Sequence, residues 1–548
     1  MFNFKFFYNF LFLSKNILFV LGSIFILSCN NNSTNPFVLP LGLTINPYNL
    51  SPLSAVYVRE SINQEPLTVK VKGLYGDPDI IHTYPAGYGT EFEIHGMFPE
   101  SQNTIEIYDS DKIIVTNVYV GKLIINGETL PTKLSVDISN LQEDEKYKNN
   151  PDMYFLHYMY GADSWEGTGG VAVSKNGYIR YALKKYSPSK IRAEDGKFIF
   201  YIFSGNAIVN MLGKPLLNIP HLNHHDAVKV NNNYFYLSSS SFGMGDMFGV
   251  VDKYGNDIKF LSFGMLIKNS LDLNAYPEDA NTFKEVVYGE SVDNVYIENG
   301  NKKNIDWFHS NSLVYDSDTD ILYVSSKHRG VLAIDYSEWK LIWWMVNENH
   351  TYEVNGKNTQ LYNLKSLDKY RVKGDAILEG PSGQHSLFLL ANGNLGMFDN
   401  QVEGKKQSRY IEYKIDNING QYTAKVIEKI EIDNLNARIT SDVDFLGENY
   451  NNLLLTYGDT TKVIVEIEKA SRNKLFELKM NFGSYLYRSD KMPLYYDAGR
   501  VYSEDCNLVC RRFLVLGACI FSQSLYGIAL ASVGMLSTLG ITLATRCL

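Results

Sequence analysis

Between residues 30 and 505 the chain has no cysteine; all five, Cys29, Cys506, Cys510, Cys519 and Cys547, lie near the two ends. The body therefore holds no disulfide, and a cysteine nucleophile, a Cys-ligated zinc and an iron–sulfur cluster are excluded there. Basic runs are also missing. The 51 Lys and Arg against 60 Asp and Glu leave a formal charge of −9 over 548 residues, which argues against nucleic acid as the main partner. No G-x-S-x-G elbow, P-loop, dinucleotide fingerprint or H-E-x-x-H helix occurs. What is present is ordinary globular composition, 45% hydrophobic and 20% charged, which excludes wholesale disorder and collagen-like architecture. Aromatics at 13%, with 39 Tyr, lean toward a β-rich fold.

The ends read differently from the body. Lys5 and Lys15, an almost wholly apolar stretch from Asn16 to Leu27, then Ile26-Leu27-Ser28-Cys29 form an export signal of the bacterial lipoprotein type. On that reading residues 1–28 are removed, Cys29 is lipidated, and the Asn-rich residues 29–40 are a tether. The protein is then expected on the periplasmic or cell-envelope side, anchored in a membrane; an uncleaved N-terminal anchor is the alternative. After Arg511-Arg512 no charge occurs from Phe513 to Thr545, long enough to span a bilayer. Residues 506–548 are read as a second membrane contact or a hydrophobic tail without function.

Within residues 41–145, short β-branched and aromatic runs such as Leu67-Thr68-Val69-Lys70-Val71 and Lys112 to Val120 alternate with turn residues, predicting a small β-sandwich. A polar linker, Gln142 to Asp152, follows. From 155 to 500 a unit recurs: polar residue, apolar strand, turn of Asn, Asp or Gly, second strand. Copies start at His225, His309, His385 and Thr440, with another at Gly170-Val171-Ala172-Val173. This period predicts an all-β, six-bladed β-propeller behind the sandwich; five units are visible and the sixth is expected to close from the ends of the region.

In a propeller the inner strands run along one channel, so residues at the same repeat position converge. His225, His309, His385 and Thr440 should meet, although 215 residues separate the first from the last. One histidine at such a place is most simply a core residue; three of ten in register call for another explanation. Metal ligation is one use, although only Asp226 is an obvious carboxylate nearby. Nucleophilic catalysis with anion stabilisation is the other, since Lys327, His328 and Arg329 follow the His309 unit.

Further text sharpens the choice: Asn46-Pro47-Tyr48, Phe98-Pro99, His224-His225-Asp226, Asp306-Trp307-Phe308-His309-Ser310-Asn311-Ser312, Ser325-Ser326-Lys327, Gly383-Gln384-His385, Phe398-Asp399-Asn400, Ile439-Thr440-Ser441 and Tyr487-Arg488-x-Asp490. In these residues, over roughly 40–497, the chain resembles the bacterial aryl-sulfate sulfotransferases that work without 3′-phosphoadenylyl sulfate. The resemblance implies ping-pong transfer of a sulfuryl group from a phenolic sulfate to a phenol. His385 would be the nucleophile and His309 the acid that protonates the leaving phenolate. Asn311 would hold sulfate oxygens, with His225 or His224 beside them. Thr440 is a further substrate contact. Lys327 stands where the family has arginine, keeping the charge but not the planar fork, with Arg329 in reach to compensate. The resemblance calls for no cofactor and no metal, and leaves room for a homodimer. Two other readings compete: a non-catalytic binding propeller, and a metal-dependent hydrolase using the same histidines.

Overall fold

The computed structural model describes residues 39–498, except 63, 126, 142–147, 160–168, 187, 203–206, 222, 242, 289–296, 299–300, 303–305, 355, 402–406 and 447–450. Cys29, the export signal and the C-terminal apolar run lie outside the described residues. No helix among the described residues is long and apolar enough to cross a membrane.

Two sheets form the first domain. One joins Leu43–Ile45, Ser54–Val58 and Glu91–His95; the other joins Leu67–Val71, Ile80–Tyr84, Ser101–Asp109 and Lys112–Val120. Their period-2 sequences become period-2 burial. In Lys112–Val120 every second residue from Ile114 to Val118 is buried and those between are exposed, because alternate side chains of a strand face opposite sides.

Among the described residues the second domain holds six antiparallel units, a six-bladed β-propeller. Blade 2 runs from Pro188–Glu194 to Pro215–Asn218, and blade 3 from Asn223–Val230 to Asp257–Ser262. Blade 4 runs from Ser310–Asp316 to Lys340–Met345, and blade 5 from His385–Leu389 to Gln421–Glu431. Blade 6 runs from Asp442–Leu446 to Lys474–Lys479. In each of these the first strand is innermost. Blade 1 differs: its outer three strands are Met153–Met159, Gly169–Val173 and Ile179–Lys184, and its innermost strand is Tyr485–Met492 from the other end of the chain. The ring thus closes by joining its two ends, as expected. The unit read at Gly170 belongs to this closing blade, and the unit missed in the sequence is blade 2. Blade 2 has no histidine or threonine at its start as blades 3 to 6 do; it begins at Pro188 and turns at Asp195-Gly196, so the recurring signature does not pick it out.

The sandwich is fixed to blade 1. Arg180 donates to Gly96 O (2.8 Å), pairs with Asp77 (3.1 Å) and lies over the Phe98 ring, all fully buried. His95 N donates to Tyr495 Oη, and a single apolar core runs from Leu43 through Phe155 to Leu494.

Candidate active site

The inner strands of blades 3 to 6 share a distortion at one end. His225 (φ 70°), His309 (φ 55°), Ser386 (φ 52°) and Thr440 (φ 61°) all have left-handed backbone, and strand pairing slips between Asn223 and Ala227, Ser310 and Ser312, and His385 and Leu387. A non-glycine residue in this region costs on the order of 1–3 kcal/mol, and a bulge re-aims the side chain it carries. Repeated around the ring, this device gathers the histidines. Ring centroids of His225 and His309 stand 5.1 Å apart, His225 and His385 6.2 Å, and His224 and His225 4.2 Å. Gly245 lets the blade 3 loop run against blade 4: a Cβ there would come within 2.7 Å of His224 Nδ1 and Ser310 N.

Hydrogen bonds fix how the rings are held. His385 Nδ1 lies 2.9 Å from Asn400 Oδ1, and the Asn400 amide nitrogen donates to Ala437 O (3.0 Å) and Thr440 O (3.2 Å). Asn400 therefore presents its oxygen to the ring. An amide oxygen only accepts, so His385 carries its proton on Nδ1 and its lone pair on Nε2. Burial lowers the His385 pKa to about 3 despite the Asn400 bond, with the His309, Lys327 and Arg488 charges acting in the same direction. At neutral pH the group is an uncharged imidazole with a free Nε2.

His309 is held in another way. Its Nδ1 donates to the Asp306 carboxylate (2.8 and 3.0 Å), and its Nε2 is 3.1 Å from His225 Nε2. His225 Nδ1 in turn meets the Tyr487 hydroxyl. His224 Nδ1 donates to Ser310 O at 3.0 Å. Burial lowers His224 to about 3 and His225 well below the ordinary histidine range, helped by the neighbouring rings. Burial alone would raise Asp306; His309 and His328 instead hold it well below the usual carboxylate range, and His328 Nε2 stands 3.2 Å from Asp306 Oδ2. One ring nitrogen from each of His224, His225 and His309 lies within 4.8 Å of the other two, as do donor atoms of Asp306, His309 and His328.

The remaining expected site residues divide. The Lys327 amide donates to His309 O, while its ammonium has no hydrogen-bond or ion-pair partner among the described residues and acts electrostatically on His385. Thr440 is buried; its hydroxyl donates to Leu486 O (3.1 Å) and its carbonyl accepts from Asn400, so it supports His385 through Asn400. Asn311 is buried; its amide nitrogen donates to Gln384 O (2.8 Å) and its oxygen accepts from Ser325 Oγ (2.6 Å), which ties blade 4 to the Gly383-Gln384-His385 segment. Arg329 does not reach the cluster. Its guanidinium donates to Trp307 O (2.9 Å), Val287 O (2.7 Å) and Thr359 O, in full burial. Residues 327–329 form a turn rather than strand, so the alternation rule that would aim both cations alike does not operate.

Four residues of the cluster were not assigned a role from sequence: Asn400, Asp306, Tyr487 and Arg488. Arg488 lies beneath the rings, donating to Asn311 O (2.9 Å) and standing 3.5 Å from Asp226, whose other oxygen accepts from Ser312 Oγ and Leu313 N. This ties the inner strands of blades 1, 3 and 4 together. The signal for Tyr487 and Arg488 was their place on the closing strand. Together the parts amount to a neutral nucleophile, an imidazole clamped by a carboxylate and an unpaired cation, a set suited to transferring an anionic group.

Comparison with known proteins agrees in outline. The Arylsulfotransferase (ASST) family profile matches residues 139–488, and that of the arylsulfotransferase Ig-like domain matches residues 43–120. The arylsulfate sulfotransferase AssT of Lelliottia amnigena is 31% identical over 137 residues, and that of Escherichia coli O6:H1 is 29% identical over 135. Each match covers 21% of this chain and 21% of the relative, so the chain spans about a fifth of the length of the curated relatives it matches. Among solved structures, the WD40 β-propeller domain of Doa1 has 12% identity and a TM-score of 0.30, covering 70% of this chain and 88% of that one. The β-propeller domain of Cps50 from Myceliophteria thermophila has 9% identity and a TM-score of 0.32, covering 63% and 90%.

Proposed function

The chain belongs to the arylsulfotransferase (ASST) family, and on that premise we propose that it moves a sulfuryl group from a phenolic sulfate ester to a phenol through a sulfohistidine at His385. The observation that carries this reading is the setting of His385, where the Asn400 bond leaves the lone pair on Nε2 and burial keeps the ring neutral.

In the first half-reaction His385 Nε2 forms a bond to sulfur as the sulfur–oxygen bond to the phenol breaks. The departing phenolate takes a proton from His309 Nε2, and Asp306 stabilises the imidazolium that supplies it. The Lys327 ammonium balances charge on the sulfuryl oxygens. In the second half-reaction an acceptor phenol gives its proton to His309 as its oxygen attacks sulfur and the N–S bond breaks, which restores both histidines. Sulfuryl transfer, like phosphoryl transfer, relies on in-line positioning and cationic groups around a loose transition state. A neutral imidazole is a competent nucleophile near pH 7.

The test is intact-protein mass spectrometry after brief mixing with an aryl sulfate and no acceptor. A gain of one sulfuryl group, discharged by phenol and absent in His385→Ala, is the expected result. A folded protein that gains nothing from a range of donors would leave a binding propeller instead.

A further inference from the structure

We infer that His224, His225 and His309 form a binding site for a single transition-metal ion of the Zn²⁺ class, and that its occupation switches sulfuryl transfer off. The site stands on geometry alone; the switching rests on the function proposed above.

Two nitrogens bound about 2.0–2.1 Å from one tetrahedral zinc are roughly 3.3–3.4 Å apart. His225 and His309 already stand at 3.1 Å, Nε2 to Nε2, a spacing that otherwise requires a proton between them. The third nitrogen, from His224, lies within 4.8 Å of both. Two of the rings also have the outer partner that metal-bound histidines use: Asp306 for His309 and the Tyr487 hydroxyl for His225.

The proton balance closes with one proton released to solvent. In the metal-free enzyme Nε2–H of the His309 imidazolium donates to His225 Nε2, and His225 carries its own proton on Nδ1, toward the Tyr487 oxygen, whose O–H donates to His225 O, 3.3 Å away. Binding releases the His309 Nε2 proton and leaves the proton on His225 where it stands. The fourth position is left to water. Occupation removes the Nε2 of His309, the atom that exchanges a proton with the phenol, so metal and catalysis exclude each other.

Full-length protein, stripped with chelator and with its terminal cysteines alkylated, is titrated with Co²⁺ and followed by visible absorbance. One Co²⁺ per chain with four-coordinate nitrogen-ligated bands, displaced by Zn²⁺, is expected. His224→Ala should lose the bands, Asp306→Asn should weaken binding by about 10–100-fold, and His385→Ala should keep them. Loss by misfolding is separated by Cu²⁺ loading of the unaltered protein, where nitrogen couplings from three imidazoles should appear in the EPR spectrum. Missing couplings, or bands that survive in His224→Ala, overturn the site. Zn²⁺ should lower transfer ~10²-fold or more, the contribution of a general acid, and chelator should restore it; an unchanged or faster rate overturns the switch. A metal site in a protein that never transfers sulfuryl groups would sink the sulfohistidine reading and leave the site standing.

Discussion

Blade 2 runs through four strands from Pro188 to Asn218, and blade 4 runs through four from Ser310 to Met345 in the same antiparallel order. Their ladders differ little; their ends at the channel mouth differ greatly. Blade 4 is preceded by the Asp306–His309 loop with a left-handed His309, and the turn between its second and third strands presents Lys327. Blade 2 brings no histidine to the mouth, and its buried aromatics pack between blades, Phe200 in the core with blade 1 and Tyr201 in the core with blade 3. Hydrogen-bonded strands make the ring, and the candidate site is a few strained residues at one rim, as is general for rigid scaffolds with functional loops.

That division can be broken experimentally. His385→Ala should reduce transfer by roughly 10⁴–10⁶-fold while leaving the melting temperature near that of the unaltered protein, measured by steady-state kinetics beside calorimetry. A large fall in stability would mean that the rim also carries the fold. His309→Gln should cost about 10²–10⁴-fold with phenyl sulfate and much less with nitrophenyl sulfate, whose leaving group needs no proton; equal losses on both donors would remove the acid role. In blade 2 the expected effect reverses. Phe200→Ala should destabilise by about 3–5 kcal/mol, with kcat per folded molecule unchanged. Asn400→Ala should lower kcat by about 10–100-fold with little change in KM, the loss of one buried hydrogen bond. Nitrogen NMR of His385 should then show both tautomers, which a merely structural role would not produce.

The smallest effect concerns pH. His224, His328 and His385 are lowered to about 3 and His350 to about 4, in each case chiefly by burial. Below the ordinary histidine value near 6.5 the unfolded chain takes up protons that the folded chain refuses. Stability is therefore complete above that value and declines as pH falls toward 4, by about 1.4 kcal/mol per pH unit for each group. His385→Gln should flatten the slope of stability against pH by one such group, read from denaturant melts at pH 5 and 7.

Repetition made the histidines legible in advance, because residues in register around a ring must meet whatever their separation in sequence. The same logic could not see Asn400 or Asp306. Neither repeats; each matters through one contact, across to Thr440 and Ala437 in one case and three residues along a loop in the other. Arg329 was expected beside Lys327 because sequence neighbours were treated as strand neighbours. The turn instead sends its guanidinium into a nest of carbonyls, where an always-charged group finds three acceptors. Blade 2 escaped because nothing functional marks it, and an unmarked blade differs from ordinary β text only by its length.

The strand Tyr485–Met492 has a consequence in time as well as in space. It is the last inner strand synthesised, yet it supplies Tyr487 to His225 and Arg488 to the base of blades 3 and 4. A ribosome delivers the chain from its N-terminus, and domains fold as they emerge. Five blades can be made, and all three register-matched histidines exposed, before the piece that locks their rings arrives. A nascent or prematurely terminated chain is therefore an open ring with unsupported imidazoles, and the candidate site is complete only when synthesis has passed residue 492.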